Sequence, residues 1–279
     1  MKIGITGASG QLGNHVIEQL KKRTDASNLV ALVRNPAKIE GIEARAFDYE
    51  KPEELASALE GIETLLLISG NEIGSRARQH KNVISAAEKA QVKRIVYTSI
   101  LRADSSQISL AGEHLTTELR LKSSGLSYTI LRNGWYTENY TASIPGALQG
   151  GAFIGSAADG KIASASRIDY AEAAAVVLTE AGHEGQTYEL AGDEAYTLSK
   201  FAQEISKQSG KDIPYQNLAE NDFAQALKSF GIPDAFAEGL ASWDVCASKG
   251  DLFDDGKMLS KLIARPTTPY SVAIKEALA

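Results

Sequence analysis

The chain has 279 residues, with 29 Lys and Arg against 35 Asp and Glu for a formal charge of −6, and without a local basic cluster that balance excludes a nonspecific nucleic-acid binder. Charged residues at 23% and apolar residues at 43% exclude disordered, collagen-like and disulfide-scaffold classes and leave one large domain or two that fold together. The single cysteine, Cys246, makes neither an internal disulfide nor a thiolate metal cage, and no apolar run approaches the roughly 18 residues of a membrane span, so the expected setting is the cytoplasm.

Residues 2–6 form an apolar run of strand length, and Gly7-Ala8-Ser9-Gly10-Gln11-Leu12-Gly13 leads from it into an amphipathic stretch over 12–20. Glycines at such a junction let a backbone turn tightly and approach a pyrophosphate at a helix N-terminus. The spacing is GxxGxxG rather than the GxGxxG fingerprint, so an ordinary glycine-rich turn is the competing reading. The second run, 29–33, ends at Arg34-Asn35-Pro36. An NAD-binding chain carries an acid here for the ribose 2′-hydroxyl, whereas an arginine pairs a 2′-phosphate, so NADPH is the predicted cofactor. Asp48, after a third run at 43–47, is placed either to accept from an adenine amine or to cap a helix over 52–59 that starts at Pro52.

Further runs at 64–69, 94–99 and 128–131 alternate with helix patterns over 77–90 and 110–121. Ser69-Gly70-Asn71 and Thr98-Ser99 close two of these runs. Open α/β sheets bind ligands just beyond the carboxyl ends of their strands, which predicts a cofactor contact here, although a turn of small residues explains each one equally well. The sixth run continues into Arg132-Asn133-Gly134-Trp135-Tyr136-Thr137-Glu138-Asn139-Tyr140. Amides among aromatics at that edge read as a cofactor and substrate lip, with Trp135 and Tyr140 as a stacking platform; core packing is the competing use of the rings.

A helix over 170–180 and a strand over 187–190 complete the repeating pattern, and the remainder is helix-rich with one more strand at 213–218. The order predicts an α/β fold: a Rossmann-like doubly wound parallel sheet with a smaller, mostly helical C-terminal lobe. Residues 1–133 with 168–191 are expected to form the NADP-binding domain. Residues 134–167 with 192–279 are expected to form a substrate lobe over the carboxyl edge of the sheet.

The glycine loop, Arg34-Asn35-Pro36, Tyr97-Thr98-Ser99 and the run from Tyr128 to Tyr136 together resemble the NmrA-like, atypical branch of the short-chain dehydrogenases/reductases. Within that branch the chain looks like the bacterial NADPH:quinone oxidoreductases, supported by Asp159-Gly160-Lys161-Ile162-Ala163-Ser164-Ala165 and Tyr188-Glu189-Leu190-Ala191-Gly192. The resemblance covers nearly the whole chain. It implies an NADPH site built from Thr6, Gly7, Ala8, Ser9, Gly10, Gln11, Leu12, Arg34, Ser69, Gly70, Asn71, Asn133, Gly134, Trp135, Tyr136, Thr137, Glu138 and Lys161.

Typical members of the wider superfamily place Tyr-x-x-x-Lys on the helix after the fifth strand, where the tyrosine protonates an alkoxide. Here that helix carries His114 and Glu118, read as a surface pair in preference to a proton relay. The only match, Tyr196 to Lys200, falls at a late helix start after Thr197 and is read as helix initiation. No catalytic residue is therefore assigned. His15, His80 and His183 lack ligand spacing with acids, so no metal is expected. These features predict hydride transfer from NADPH to a quinone or similar flat acceptor, in a monomer or homodimer that binds no nucleic acid and no membrane. The competing functions are a non-enzymatic NADP(H) redox sensor of the NmrA type and a triphenylmethane or azo dye reductase.

Overall fold

The computed structural model describes residues 1–279. In chain order the elements are β1 (Ile3–Thr6), α1 (Gln11–Lys21), β2 (Leu29–Val33), β3 (Glu43–Ala46), α2 (Pro52–Ala58), β4 (Thr64–Leu67), α3 (Arg76–Lys89), β5 (Arg94–Ile100), α4 (Ala111–Lys122), β6 (Ser127–Asn133), α5 (Thr137–Thr141), α6 (Ile144–Gly150), β7 (Phe153–Gly155), α7 (Arg167–Thr179), β8 (Thr187–Leu190), α8 (Leu198–Ser209), β9 (Tyr215–Asn217), α9 (Glu220–Ser229), α10 (Asp234–Ser248), α11 (Met258–Ile263) and α12 (Tyr270–Leu278). They divide into two compact units, one of residues 1–104, 110–133 and 167–189, the other of 105–109, 134–166 and 190–279.

The first unit is built on a seven-stranded sheet of order β3-β2-β1-β4-β5-β6-β8. Its registers are parallel, with Ile3 opposite both Leu29 and Thr64, and Leu66 opposite Val96. β8 continues the parallel set, because Ile130 and Gly134 donate to the carbonyls of Gln186 and Leu190 at the same offset. β1, β2, β4 and β5 are buried at every residue, which is why they read as continuous apolar runs without alternation. One face is covered by α1 and α7 and the other by α2, α3 and α4, the doubly wound arrangement. Leu65, Leu67, Ile95 and Tyr97 meet Val83, Ile84 and Ala87 of α3 in that second core layer. The strand order reverses between β1 and β4, where such sheets bind ligands.

The second unit is mostly helical, with a two-stranded parallel sheet of β7 and β9. α9 packs on α10 and α8 on α12. The sequence pattern marks β9 within the strand expected at 213–218, but α5, α6 and β7 carry no periodic signal, being five, seven and three residues long.

Candidate functional site

The glycine loop follows from the exit of β1. Gly7 holds φ +60, and the Gly10 amide closes the turn by donating to the Gly7 carbonyl at 2.9 Å. Gly13 sits one turn into α1, where a Cβ would lie 2.3 Å from that same carbonyl oxygen. Only glycine lets the helix approach so closely. Gly10 caps α1 without a side-chain acceptor, and the first turn has no acidic residue, so the first helical N–H groups and the positive end of the helix dipole are offered to an anion. Ser9, Gly10 and Gln11 are exposed and Leu12 is buried, anchoring the helix.

Arg34 lies just past β2 with its side chain 76% exposed, 3.9 Å from Glu72. Asn35 accepts from the Ala37 amide at 3.1 Å and starts a short 3-10 turn, so the backbone leaves the sheet at this arginine. Asp48 is not the cap of α2 that the sequence offered: Lys51 holds that position, and Asp48 makes a turn before it, its carboxylate accepting from the Glu50 amide and its carbonyl from that of Lys51.

The segment Ile68-Ser69-Gly70 is fixed by side chains from β1, β5, α3 and the loop between β3 and α2. Thr6 accepts from the Ile68 amide at 3.0 Å, and Thr98 accepts from the Ser69 amide at 2.9 Å. Tyr49 donates to the Ile68 carbonyl at 3.2 Å. At Gly70 the amide donates to His80 Nε2 at 3.0 Å and the carbonyl accepts from Arg76 Nε at 2.7 Å. Because Nε2 accepts, Nδ1 carries the proton and donates to Thr117 at 3.0 Å, and Thr117 in turn donates to the Glu113 carbonyl. Burial, reinforced by the Arg76 charge, pulls the His80 pKa down to about 3, so the imidazole is neutral and keeps this tautomer.

His114 and Glu118 are not the surface pair expected from their i, i+4 spacing. Both are buried, at 5% and 0% exposure, and they serve different partners. His114 Nδ1 is 2.7 Å from the Tyr97 hydroxyl, and burial holds its pKa far below the usual histidine range. Glu118 takes a two-pronged ion pair from Arg132 at 2.9 and 2.7 Å and a hydrogen bond from Ser99 at 2.6 Å. Arg132 also pairs with Asp104 and Glu189. This network, buried at Ser99, Glu118 and Arg132, ties β5, β6, β8 and α4 together and brings β6 to its last residue, Asn133.

Asn133 is 4% exposed, and its side-chain oxygen is buried with no hydrogen-bond partner. Beyond it the Trp135 carbonyl accepts from the Ala165 amide at 3.1 Å, and the Thr137 amide donates back to the Ala165 carbonyl at 2.9 Å. The Thr137 hydroxyl meets Ser164, which also meets Tyr196. Tyr136 is half-buried and precedes α5; Trp135 is buried against Trp243. Tyr140 is enclosed within the second unit, its hydroxyl on Asp244 and its ring beside Phe201. Lys161 is exposed with its ammonium 5.6 Å from the centre of the Phe253 ring.

Thr6 to Leu12, Arg34, Ser69 to Asn71 and Asn133 thus gather at the carboxyl ends of β1, β2, β4 and β6 in the first unit. Gly134 to Glu138 and Tyr140 form one braced segment of the second, and Lys161 keeps separate contacts. Tyr196 is buried against Ser164, while Thr197 caps α8 by accepting from the Lys200 amide, as expected of a helix start. The residues that sequence reasoning missed are His80, Arg76 and Tyr49. The one available signal was that His80 shares the buried α3 stripe of Val83, Ile84 and Ala87. Two surface hollows, about 460 Å³ beside α8 and α12 and about 360 Å³ at the amino-terminal ends of β4, β5 and β6, include none of these residues.

The NAD(P)H-binding family model matches residues 7–181. Quinone oxidoreductase 2 of Escherichia coli strain K12 is 60% identical over 277 residues, covering 98% of this chain and 97% of the relative. The crystal structure of the Escherichia coli NADPH-dependent quinone oxidoreductase in complex with NADPH superposes with a TM-score of 0.97 at 59% identity, over 99% of this chain and all of that one (100%). Citrobacter sp. triphenylmethane reductase complexed with NADP(H) gives 0.95 at 38% identity, over 99% of this chain and 100% of the other. Helices long and apolar enough to cross a membrane are absent.

Proposed function

The chain belongs to the NAD(P)H-binding family, and on that premise we propose that it is an NADPH-dependent oxidoreductase that reduces quinones and similar flat conjugated acceptors. The observation that carries the reading is the conjunction of 60% identity with a quinone oxidoreductase over 98% of the chain and the glycine cradle at Gly7, Gly10 and Gly13. The residues fit the cofactor. A Cβ at Gly13 would overlap the Gly7 carbonyl and push the loop off the start of α1, and Asn133 offers a buried acceptor oxygen without a partner.

NADPH, when bound, supplies a hydride, and the quinone takes it with one proton from water to give the hydroquinone. The chain's part is to bind and orient. Thr6 to Leu12 would hold the pyrophosphate through backbone amides and the dipole of α1. Arg34 would pair the 2′-phosphate, its exposed guanidinium held back only by Glu72 at 3.9 Å. Ser69 to Asn71 and Asn133 would place the nicotinamide half, with Gly134, Trp135, Tyr136, Thr137 and Glu138 continuing from it and Lys161 adding a charge. Trp135 would face the acceptor. Tyr140, with its hydroxyl on Asp244, would act by holding α5 in place.

No tyrosine–lysine dyad is needed. Hydride addition to a quinone gives a delocalised phenolate that solvent protonates, so positioning and exclusion of side reactions suffice. We place this activity in the cytoplasm, in a monomer or homodimer. The test is a single-turnover reaction of the NADPH-loaded protein with a benzoquinone, a naphthoquinone and a cationic triphenylmethane dye. Quinone turnover faster than dye turnover is expected. Tight NADPH binding with no turnover of any acceptor would replace the enzyme with a redox sensor.

A further inference from the structure

The chain has only two tryptophans, and they touch. Trp135 and Trp243 meet edge to face with ring centres 5.8 Å apart, and Phe236 also meets Trp243 edge to face, at 5.9 Å. Trp243 makes two further contacts. Its indole N–H donates to the Ser109 hydroxyl at 2.9 Å, and its six-membered ring lies over Gly239, where a Cβ would come within 3.1 Å. A glycine inside a helix costs about 0.5 to 1 kcal/mol against alanine, and here it makes the hollow in which the indole lies. Phe236, Gly239 and Trp243 form one stripe of α10, while Ala241 packs with α9. The row opens to solvent at one end: Trp135 and Trp243 are 9% and 5% exposed, and Phe236 is 46% exposed.

We propose that Phe236, Trp243 and Trp135 form an acceptor subsite, in which Trp243 fixes the tilt of Trp135 and Phe236 receives an alkyl or prenyl substituent carried by the quinone ring. The proposal rests on the quinone reading above and names the substrate class: quinones with an apolar tail rather than unsubstituted ones. The occupant follows from continuity, because the exposed phenyl ring stands two ring contacts from the residue assigned to the acceptor. Apolar carbons laid on that ring leave water, which favours the substituted quinone.

The test compares kcat/KM for 1,4-benzoquinone and its 2-decyl derivative in the wild type, Phe236→Ala and Trp243→Phe. The wild type should prefer the decyl compound, and Phe236→Ala, at a position 46% exposed, should cut that preference roughly 3- to 10-fold. Its NADPH affinity should not change, and its kcat/KM for benzoquinone should fall less than that for the decyl compound. Trp243→Phe should raise KM for both quinones and leave NADPH affinity intact. It also makes Trp135 the sole tryptophan, whose fluorescence decylbenzoquinone should quench saturably without cofactor. No preference in the wild type, equal losses for both quinones in Phe236→Ala, or quenching that never saturates would overturn the subsite. A change of oligomeric state in Phe236→Ala would overturn it in favour of an interface between copies. Saturable quenching with no turnover of either quinone would keep the subsite and overturn the proposed reaction.

Discussion

The amide of Gly70 and the imidazole of His80 share a 3.0 Å hydrogen bond in which histidine is the acceptor, so the buried side of a helix packed on the sheet sets the position of a strand-end loop at its ligand-binding edge. Losing that acceptor leaves a half-buried amide unpaired, at a cost of about 1 to 3 kcal/mol. His80→Leu should therefore weaken NADPH binding on the order of tenfold, and His80→Gln, whose side-chain oxygen reaches the Nε2 position, should restore most of it. Isothermal titration with both variants checks this. With a pKa near 3, His80 contributes no change in cofactor affinity between pH 5 and 9.

Arg34 should decide between the two dinucleotides. Its guanidinium is well exposed, so screening keeps its contribution at the low end for a charge-assisted contact, about 1.5 kcal/mol or roughly tenfold. Arg34→Ala should lose that factor in NADPH affinity and leave NADH affinity unchanged. Competitive fluorescence titration of both cofactors measures it.

Tyr196 and Lys200 should be dispensable for catalysis. Tyr196→Phe removes the buried contact with Ser164 and should cost stability of about 1 to 2 kcal/mol, seen in denaturant melts. Turnover of quinone should fall less than threefold in either Tyr196→Phe or Lys200→Ala, far from the 100- to 10,000-fold of a positioned acid or base.

Asp244 gives a pH signature in the second unit. Burial pushes its carboxyl up to about 6, against the hydrogen bonds from the Ser156 amide and Tyr140. The folded protein then holds a proton that the unfolded chain releases near pH 4, so this stabilisation is complete below that pH and is lost as pH rises through 6. Asp244→Asn should remove the loss, up to about 3 kcal/mol between pH 4 and 7, in urea melts compared across that range.

The parts of the site that were legible in the sequence are those carried by local spacing. Gly7, Gly10 and Gly13 straddle a strand-to-helix junction, and Arg34 follows a strand whose register with β1 fixes where it emerges. The clamp on Gly70 was not legible because His80 and Arg76 come from α3, where polar residues on an apolar stripe give no hint of a partner across the fold. Likewise β5 and β6 run to Ile100 and Asn133, past their apolar ends, because Glu118 satisfies Ser99 and Arg132 inside the core. Pairings between distant side chains set these limits, and spacing along the chain cannot express them.

Hydride transfer without a protein acid is the central claim, and stopped-flow reduction of decylbenzoquinone by NADPH and by NADPH deuterated at the transferred position tests it most directly. A primary isotope effect on NADPH oxidation, with a rate constant flat from pH 6 to 9 and no solvent isotope effect, is the predicted result. A bell-shaped pH profile with a solvent isotope effect would put a protein proton donor in the rate-limiting step and contradict the account.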